Sequence, residues 1–518
     1  MPNRSPDILF QLIHALEKSE KRNFKLYVTR SSSNHDLKIV QLFDAIDKLQ
    51  HYDEALLLKK LASIQKPQIA NLKAHLYKQI LASLRLLKST DSIDMQLHEQ
   101  LDYSRILYNK GLYIQSLKML EKVKEVAKAY DQHSFLIQAI SLEKKIETLH
   151  ITRSMQNRAD VLSEEATQVN EKRRNITRLS NLAMLLYSWY IKNGHARNEA
   201  DEALLNEFFY TALDKAKGKT LSFYEKMYIY QSYAWSAFIR QDFLMYYRYT
   251  QKWVNLFEDE PKMIEVEAGH YIKGIHNLLN ANFDLKNYRR YDEILNQFEA
   301  FSKSDIAAQN ENIRLQTFVY LNSAKLNRHL SIGSFKEELA MVPALDLQLM
   351  QYELFLDPHR VLVFNYKIAT LYFGAGNYEV CIDYLRKIIN DNLGLRNDLQ
   401  CYARLLHLIA HYELGNIEII ESLIKSVYRF MAKMQNLTVV EEEMFKFLKH
   451  SFYISPRRLQ PEFLVFLNKI KHLETSRFET RAYAYLDIIS WVESKVHDKP
   501  VAEIIHEKYK KSKRRSCV

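Results

Sequence analysis

His407 and His411 stand one helical turn apart with Glu413 close behind, the nearest this chain comes to a metal-ligand spacing. Zinc accepts two imidazoles from one helix face, but a protein site needs a third and usually a fourth ligand. Neither an HExxH pattern nor a Cys-x-x-Cys pair accompanies them, so helix packing is the expected role and no metal is assigned. Phe373-Gly374-Ala375-Gly376 carries two glycines but closes a helix, and it lacks the third Gly and the Lys-Ser/Thr of a phosphate loop. No GxSxG occurs. Glu164-Glu165, Glu441-Glu442-Glu443 and Lys172-Arg173-Arg174 lie among other polar residues and read as solvated helix faces. No catalytic residue or cofactor is assigned, and an enzyme is not the expected class.

Binding chemistry is better represented. Thirteen aromatic residues fall between Phe223 and Phe257, interleaved with Arg240, Arg248 and Lys252. Phe243, Tyr246, Thr250, Trp253 and Phe257 follow one helical stripe, whereas Tyr247 and Tyr249 fall off it. Rings beyond what one stripe buries serve either packing between hairpins or a groove, because Tyr and Trp offer large contact area at little entropic cost. For a peptide groove the lining residues expected are Tyr247, Arg248 and Arg240.

The elements that must position these residues are helices. Only 10 Gly and 9 Pro occur in 518 residues, 47% of the chain is apolar, and alternating strand patterns are hard to find. A turn signature recurs between amphipathic segments: Gly111-Leu112-Tyr113, Gln241-Asp242-Phe243, Lys286-Asn287-Tyr288, Gly333-Ser334-Phe335, Gly376-Asn377-Tyr378 and Gly415-Asn416-Ile417. The last five are separated by 45, 47, 43 and 39 residues, the range in which self-similarity means stacked helical hairpins. The spacing predicts an all-α fold, an α-solenoid of hairpins behind a helical N-terminal head. Start signals punctuate it: Ser5-Pro6-Asp7 with Ser5 as the cap, Ser222 with Glu225 as a capping box, Asp357-Pro358 and Ser455-Pro456.

Four segments follow: residues 1–90 as the head, 91–440 as the repeat array, 441–507 as a C-terminal helical cap, and 508–518 as a disordered basic tail. The tail KYKKSKRRSCV supplies six of the charges behind the formal net charge of +11. Three cysteines, Cys381, Cys401 and Cys517, cannot build a disulfide framework and fit a reducing compartment. The longest strongly apolar piece, Leu182 to Ile191, is far short of the roughly 20 residues that span a bilayer. The N-terminal residues lack signal-peptide features, so the cytoplasm is the expected location.

Residues 364–390, FNYKIATLYFGAGNYEVCIDYLRKIIN, resemble the tetratricopeptide repeat. That family sets small, aromatic, turn-Gly, aromatic, small and bulky apolar residues across a hairpin, roles matched by Ala369, Tyr372, Gly376, Tyr378, Cys381 and Leu385. Residues 104–123 match with Ser104, Leu107, Gly111, Tyr113, Ser116 and Leu120. The spacing exceeds the family's usual 34 residues, which implies longer helices. The family's carboxylate clamp is not matched, since Tyr366 and Thr370 hold the inner-face positions in the best unit. As a whole the chain is similar to helical-repeat proteins of bacteria, particularly of the Bacteroidota. The resemblance implies a non-enzymatic adaptor or scaffold that binds a protein or peptide partner in its groove. Two alternatives stay open: a peptide-responsive regulator with the head as output, and a nucleic-acid-associated protein acting through the basic tail.

Overall fold

A computed structural model describes residues 7–29, 34–61, 66–88, 92–150, 157–214, 221–352, 355–391, 397–434, 437–451, 453–475, 479 and 487–515. Among the described residues there is no strand, and no helix is long and apolar enough to cross a membrane. Cys517 lies outside them. The chain forms two compact units, Met1–Val169 and Asn170–Val518.

The first unit holds two apolar cores. Phe24, Ile39, Phe43, Leu76 and Ile80 form one with the helices between Ile8 and Leu87. Leu97, Leu101, Leu120, Ala139 and Ile140 form the other, from helices Ile93–Asn109, Tyr113–Ala129 and His133–His150. Ser5 and Pro6 lie outside the described residues. The first described helix, Ile8–Ala15, is capped by Asp7, whose carboxylate accepts from the Leu9 and Phe10 amides at 3.1 Å each.

In the second unit one core runs from Phe223 to Ile505. It is built by consecutive antiparallel hairpins: Phe223–Ile239 with Phe243–Asp259, Ala268–Asp284 with Tyr288–Ser302, Glu311–Ile332 with Phe335–Leu339, Pro358–Gly374 with Tyr378–Ile389, and Asn397–Glu413 with Ile417–Lys433. The first helices of the second, third and fourth pairs also pack side by side.

All six signature turns have one construction. The first residue takes positive φ, from 53° at Lys286 to 81° at Gly376, and the next helix starts at the third residue. In five of them the middle residue's amide bonds the carbonyl five residues back at 2.9–3.2 Å, the Schellman closure. At Gly333 a single bond to the His329 carbonyl closes the turn instead. The middle Asp242 and Asn377 then cap the following helix. The Ser222–Glu225 capping box and the Asp357 cap are present as expected.

The roles expected of the best hairpin fall within its packing. Ala369, Cys381 and Leu385 are fully buried, Tyr372 stacks on Tyr384 at 5.7 Å, and Tyr378 meets Phe373 edge-on at 5.3 Å. The neighbouring Gly374 has a steric duty: a Cβ there would overlap the buried Phe335 ring.

The last two helices, Ile488–His497 and Val501–Arg515, run along the turn edge of the hairpins. Trp491 Nε1 donates to Glu413 at 2.7 Å and Lys495 pairs with the same carboxylate. His506 Nδ1 donates to the Ile332 carbonyl at 3.1 Å, and Tyr509 meets Tyr288 edge-on at 4.9 Å. A Cβ at Gly333 would stand 2.5 Å from the Ala502 carbonyl oxygen, so this turn is Gly because another backbone presses on it. The basic segment from Lys508, expected as a disordered tail, instead continues this helix to Arg515. Its Lys508 pairs with Glu493 at 2.8 Å. A tail read from charge alone overlooks Ile504 and Ile505, which bury one face of that helix and fix its start.

Candidate functional site

The first helices of successive hairpins in the second unit bring basic and aromatic side chains onto one surface. Tyr320, on Glu311–Ile332, is its centre. Lys273 from Ala268–Asp284 lies 5.1 Å from the Tyr320 ring centroid, and the Arg360 guanidinium from Pro358–Gly374 lies 5.0 Å from it. Arg360 Nη2 also donates to the Tyr320 hydroxyl at 2.8 Å. The His276 ring sits 4.3 Å from the same ring, and Lys273 reaches Trp235 of the Phe223–Ile239 helix at 5.9 Å. Lys367, two turns along from Arg360, donates to the Ser323 carbonyl at 3.2 Å and to its hydroxyl.

The electrostatics are one-sided. Among the described residues no carboxylate oxygen lies within 4 Å of Lys273, Arg360 or Lys367. Burial, then the nearby Arg360 charge, pushes both ammonium groups down to about 7. Burial, with Lys273, Arg360 and Lys367 around it, holds His276 well below the usual imidazole range, so its ring is neutral at pH 7. Acids of the same hairpins have other partners: Glu267 accepts from the Tyr224 hydroxyl at 2.8 Å, and Asp292 pairs with Arg328 at 2.6 Å. Cations gathered without an acid cost folding free energy through repulsion and lost hydration. A surface of this kind favours an anionic group arriving from outside.

The residues expected to line a groove are distributed differently. Arg240, at the cap of the Phe223–Ile239 helix, bonds the Ser236 carbonyl at 3.3 Å and stands 3.8 Å from Glu202. Tyr247 and Arg248 belong to the second helix of that hairpin, Tyr247 half-buried against the core and Arg248 exposed. Much of the surrounding aromatic run goes into ring-on-ring packing, as in the Tyr233–Tyr249 stack at 4.2 Å and the Phe223–Phe257 contact at 5.1 Å. His407 and His411 touch edge-on at 4.5 Å. Burial, then His411, Arg386 and Arg404, pushes His407 down to about 4. Among the described residues no third His, Cys, Asp or Glu joins them.

Sequence reading missed Lys273, His276, Tyr320, Arg360 and Lys367 because they are spread over three helices some 40 residues apart. One signal could have found two of them: counted back from the turns at Lys286 and Gly333, Lys273 and Tyr320 occupy the same register, 13 residues before the turn.

A second charged constellation lies in the first unit. Lys124 bonds Glu143 at 2.7 Å and approaches Glu165 at 3.4 Å, Lys128 bonds Glu165 at 2.7 Å, and Arg158 pairs with Glu143. It walls a shallow cleft of about 510 Å³, and each of its cations has an acid partner.

No family model, curated protein or solved structure matches this chain.

Proposed function

We propose that this protein is a non-enzymatic adaptor, a tetratricopeptide-like α-solenoid whose row of first helices holds a segment of a partner protein. The observation that carries the reading is the Lys273–Tyr320–Arg360–Lys367 cluster, where two helices bring unneutralised cations beside the core ring Tyr320 and the Ser323 carbonyl of a third. Pre-organised side chains on rigid helices bind with little ordering cost, and aromatic and Arg anchors supply most of the energy in such interfaces. The buried thiols of Cys381 and Cys401 fit the cytoplasmic location proposed with it. Tyr247 and Arg248, on the second helix of their hairpin, form a separate surface that the same test examines.

Site-specific photo-crosslinking on the full chain in its native cells tests the proposal. A photoreactive residue replacing Gln316 or Asn280 is expected to capture one and the same partner segment, whereas one replacing Arg289, whose side chain is 87% exposed, is not. Capture only from position 289 or from Tyr247 moves the binding face to the second helices. No capture from any of these positions removes the adaptor reading.

A further inference from the structure

We propose that the cluster of Lys273, Arg360 and Lys367 around Tyr320 is a seat for a phosphate-class dianion, either free or carried on a phosphorylated side chain of the bound segment. The inference rests on the row of first helices being the binding face, and it names the chemistry of what binds there.

Charge and donor count favour a dianion over a single carboxylate. Lys273 and Arg360 flank Tyr320 and Lys367 sits one turn along at Ser323, with no acid within 4 Å of any of them among the described residues, so one carboxylate would leave most of the field unmatched. One ammonium approaches from the helix Ala268–Asp284 and the other, with the guanidinium, from Pro358–Gly374, which suits a tetrahedral oxyanion with several acceptor oxygens. The Arg360 fork keeps donors beyond the one given to Tyr320. Neutral polar groups complete the surroundings: Ser323, Asn280, whose Nδ2 meets His276 Nε2 at 3.1 Å, and Gln231, bonded to His270 at 3.1 Å. A nucleic-acid backbone fits less well. It needs a stripe of cations to follow successive phosphates, whereas this patch gives way to neutral Gln231 and His270 and then to Glu267.

Binding is coupled to protons. An arriving dianion favours the charged form of both lysines, so at pH 8 complex formation takes up protons from the solution.

The test is calorimetric titration of the full chain at constant ionic strength in chloride, with inorganic phosphate, phosphoserine, glutamate and a mixed-sequence single-stranded oligonucleotide as probes. Phosphate or phosphoserine is expected to saturate one site about tenfold more tightly than glutamate, with Arg360→Gln weakening it about tenfold or more and Arg289→Gln leaving it unchanged. Repeating the titration at pH 8 in Tris and in HEPES is expected to show net proton uptake. A thermal melt of Arg360→Gln no lower than that of the parent shows that lost binding is not lost folding; if the variant melts lower, Lys367→Met replaces it in the comparison. Absence of saturable phosphate binding, equal affinity for glutamate, a preference for the oligonucleotide, or zero proton uptake overturns the proposal. Phosphate binding without cross-linked partner removes only the adaptor reading, and a cross-linked partner without phosphate binding removes only this one.

Discussion

Lys124 in the first unit is buried and Lys273 in the second is half-buried, and their surroundings are opposite. Lys124, its side chain 8% exposed, has Glu143 at 2.7 Å and Glu165 at 3.4 Å, and the acids in turn hold Lys128 and Arg158. Lys273 has aromatic rings and the like charge of Arg360. The first arrangement is complete and holds helices together. The second is incomplete and is stable only because the rest of the core carries it. Buried polar groups that satisfy one another serve the fold, while a cluster left uncompensated points to a component that arrives from elsewhere.

The contrast can be broken most forcefully at Glu143. Glu143→Ala leaves Lys124 and Arg158 sharing the more distant Glu165, and the expected loss is about 3 kcal/mol for the first unit, read as faster amide exchange across residues 93–150. A loss below about 1 kcal/mol would mean that water reaches the network and that the two regions differ less than their contacts indicate. Gly374→Ala is the steric reference in the second unit. Overlap with Phe335 is expected to cost about 1–3 kcal/mol in denaturant unfolding without changing the charge of the cationic surface. Lys273→Met or Lys367→Met sharpens the contrast, because removing an uncompensated cation is expected to stabilise the second unit by about 1 kcal/mol, the reverse of Glu143→Ala. Destabilisation by Lys273→Met would show that the cation–ring contacts outweigh the repulsion.

The pH dependence gives the smallest effect, since these ammonium groups are partly exposed and screened. The folded values of Lys273 and Lys367 lie near 7 against 10.5 when unperturbed, so the unfolded chain binds more protons between the two values and stability rises with pH across that window. Asp284, pushed up by burial to about 7 from 3.8, acts in the other direction: its folded form keeps the proton longer, so stability falls as pH rises from about 4 to 7. Arg360 keeps its charge throughout, whereas His276 and His407, held neutral by the fold, are protonated first in the unfolded chain below about 6.5, so their contribution rises with pH and opposes that of Asp284. The unopposed limb is the alkaline one: urea midpoints are expected to rise from about pH 7 to 9.5, while the acid limb is small because Asp284 and the imidazoles act against each other. In Lys273→Met/Lys367→Met the alkaline rise is expected to flatten while the acid limb remains.

Helix and turn placement was legible in the sequence because it is local chemistry. Gly111, Gly333, Gly376 and Gly415 announce a left-handed residue, and at two of the six turns the middle residue, Asp242 or Asn377, caps the next helix. Gln241 and Lys286 were found through their neighbours, since neither residue type signals positive φ by itself. A further turn of the same construction at Asp131 escaped notice because its helix starts with His133 and not with an aromatic or aliphatic residue. The cationic surface was not legible, because Lys273, Tyr320 and Arg360 become neighbours only when three helices are placed in register. The Lys124 network has the same origin, its acids lying 19 and 41 residues away. The thirteen aromatics between Phe223 and Phe257 drew attention as a dense run, yet much of that run is hairpin packing and only Trp235 reaches toward Lys273.

The docking of the last helix against Gly333 sets a clock during synthesis. The His506–Ile332 hydrogen bond joins residues 174 positions apart, and ribosomes add about 5–20 residues per second, so the Gly333 turn waits roughly 9–35 s for its covering helix. For that interval the hairpin edge between Gly333 and Tyr378 is bare, with Phe335 and Phe373 at its margin. A nascent chain halted before Val501 would present this apolar edge to chaperones or proteases, which makes the last fifteen helical residues a checkpoint for whether the molecule survives its own production.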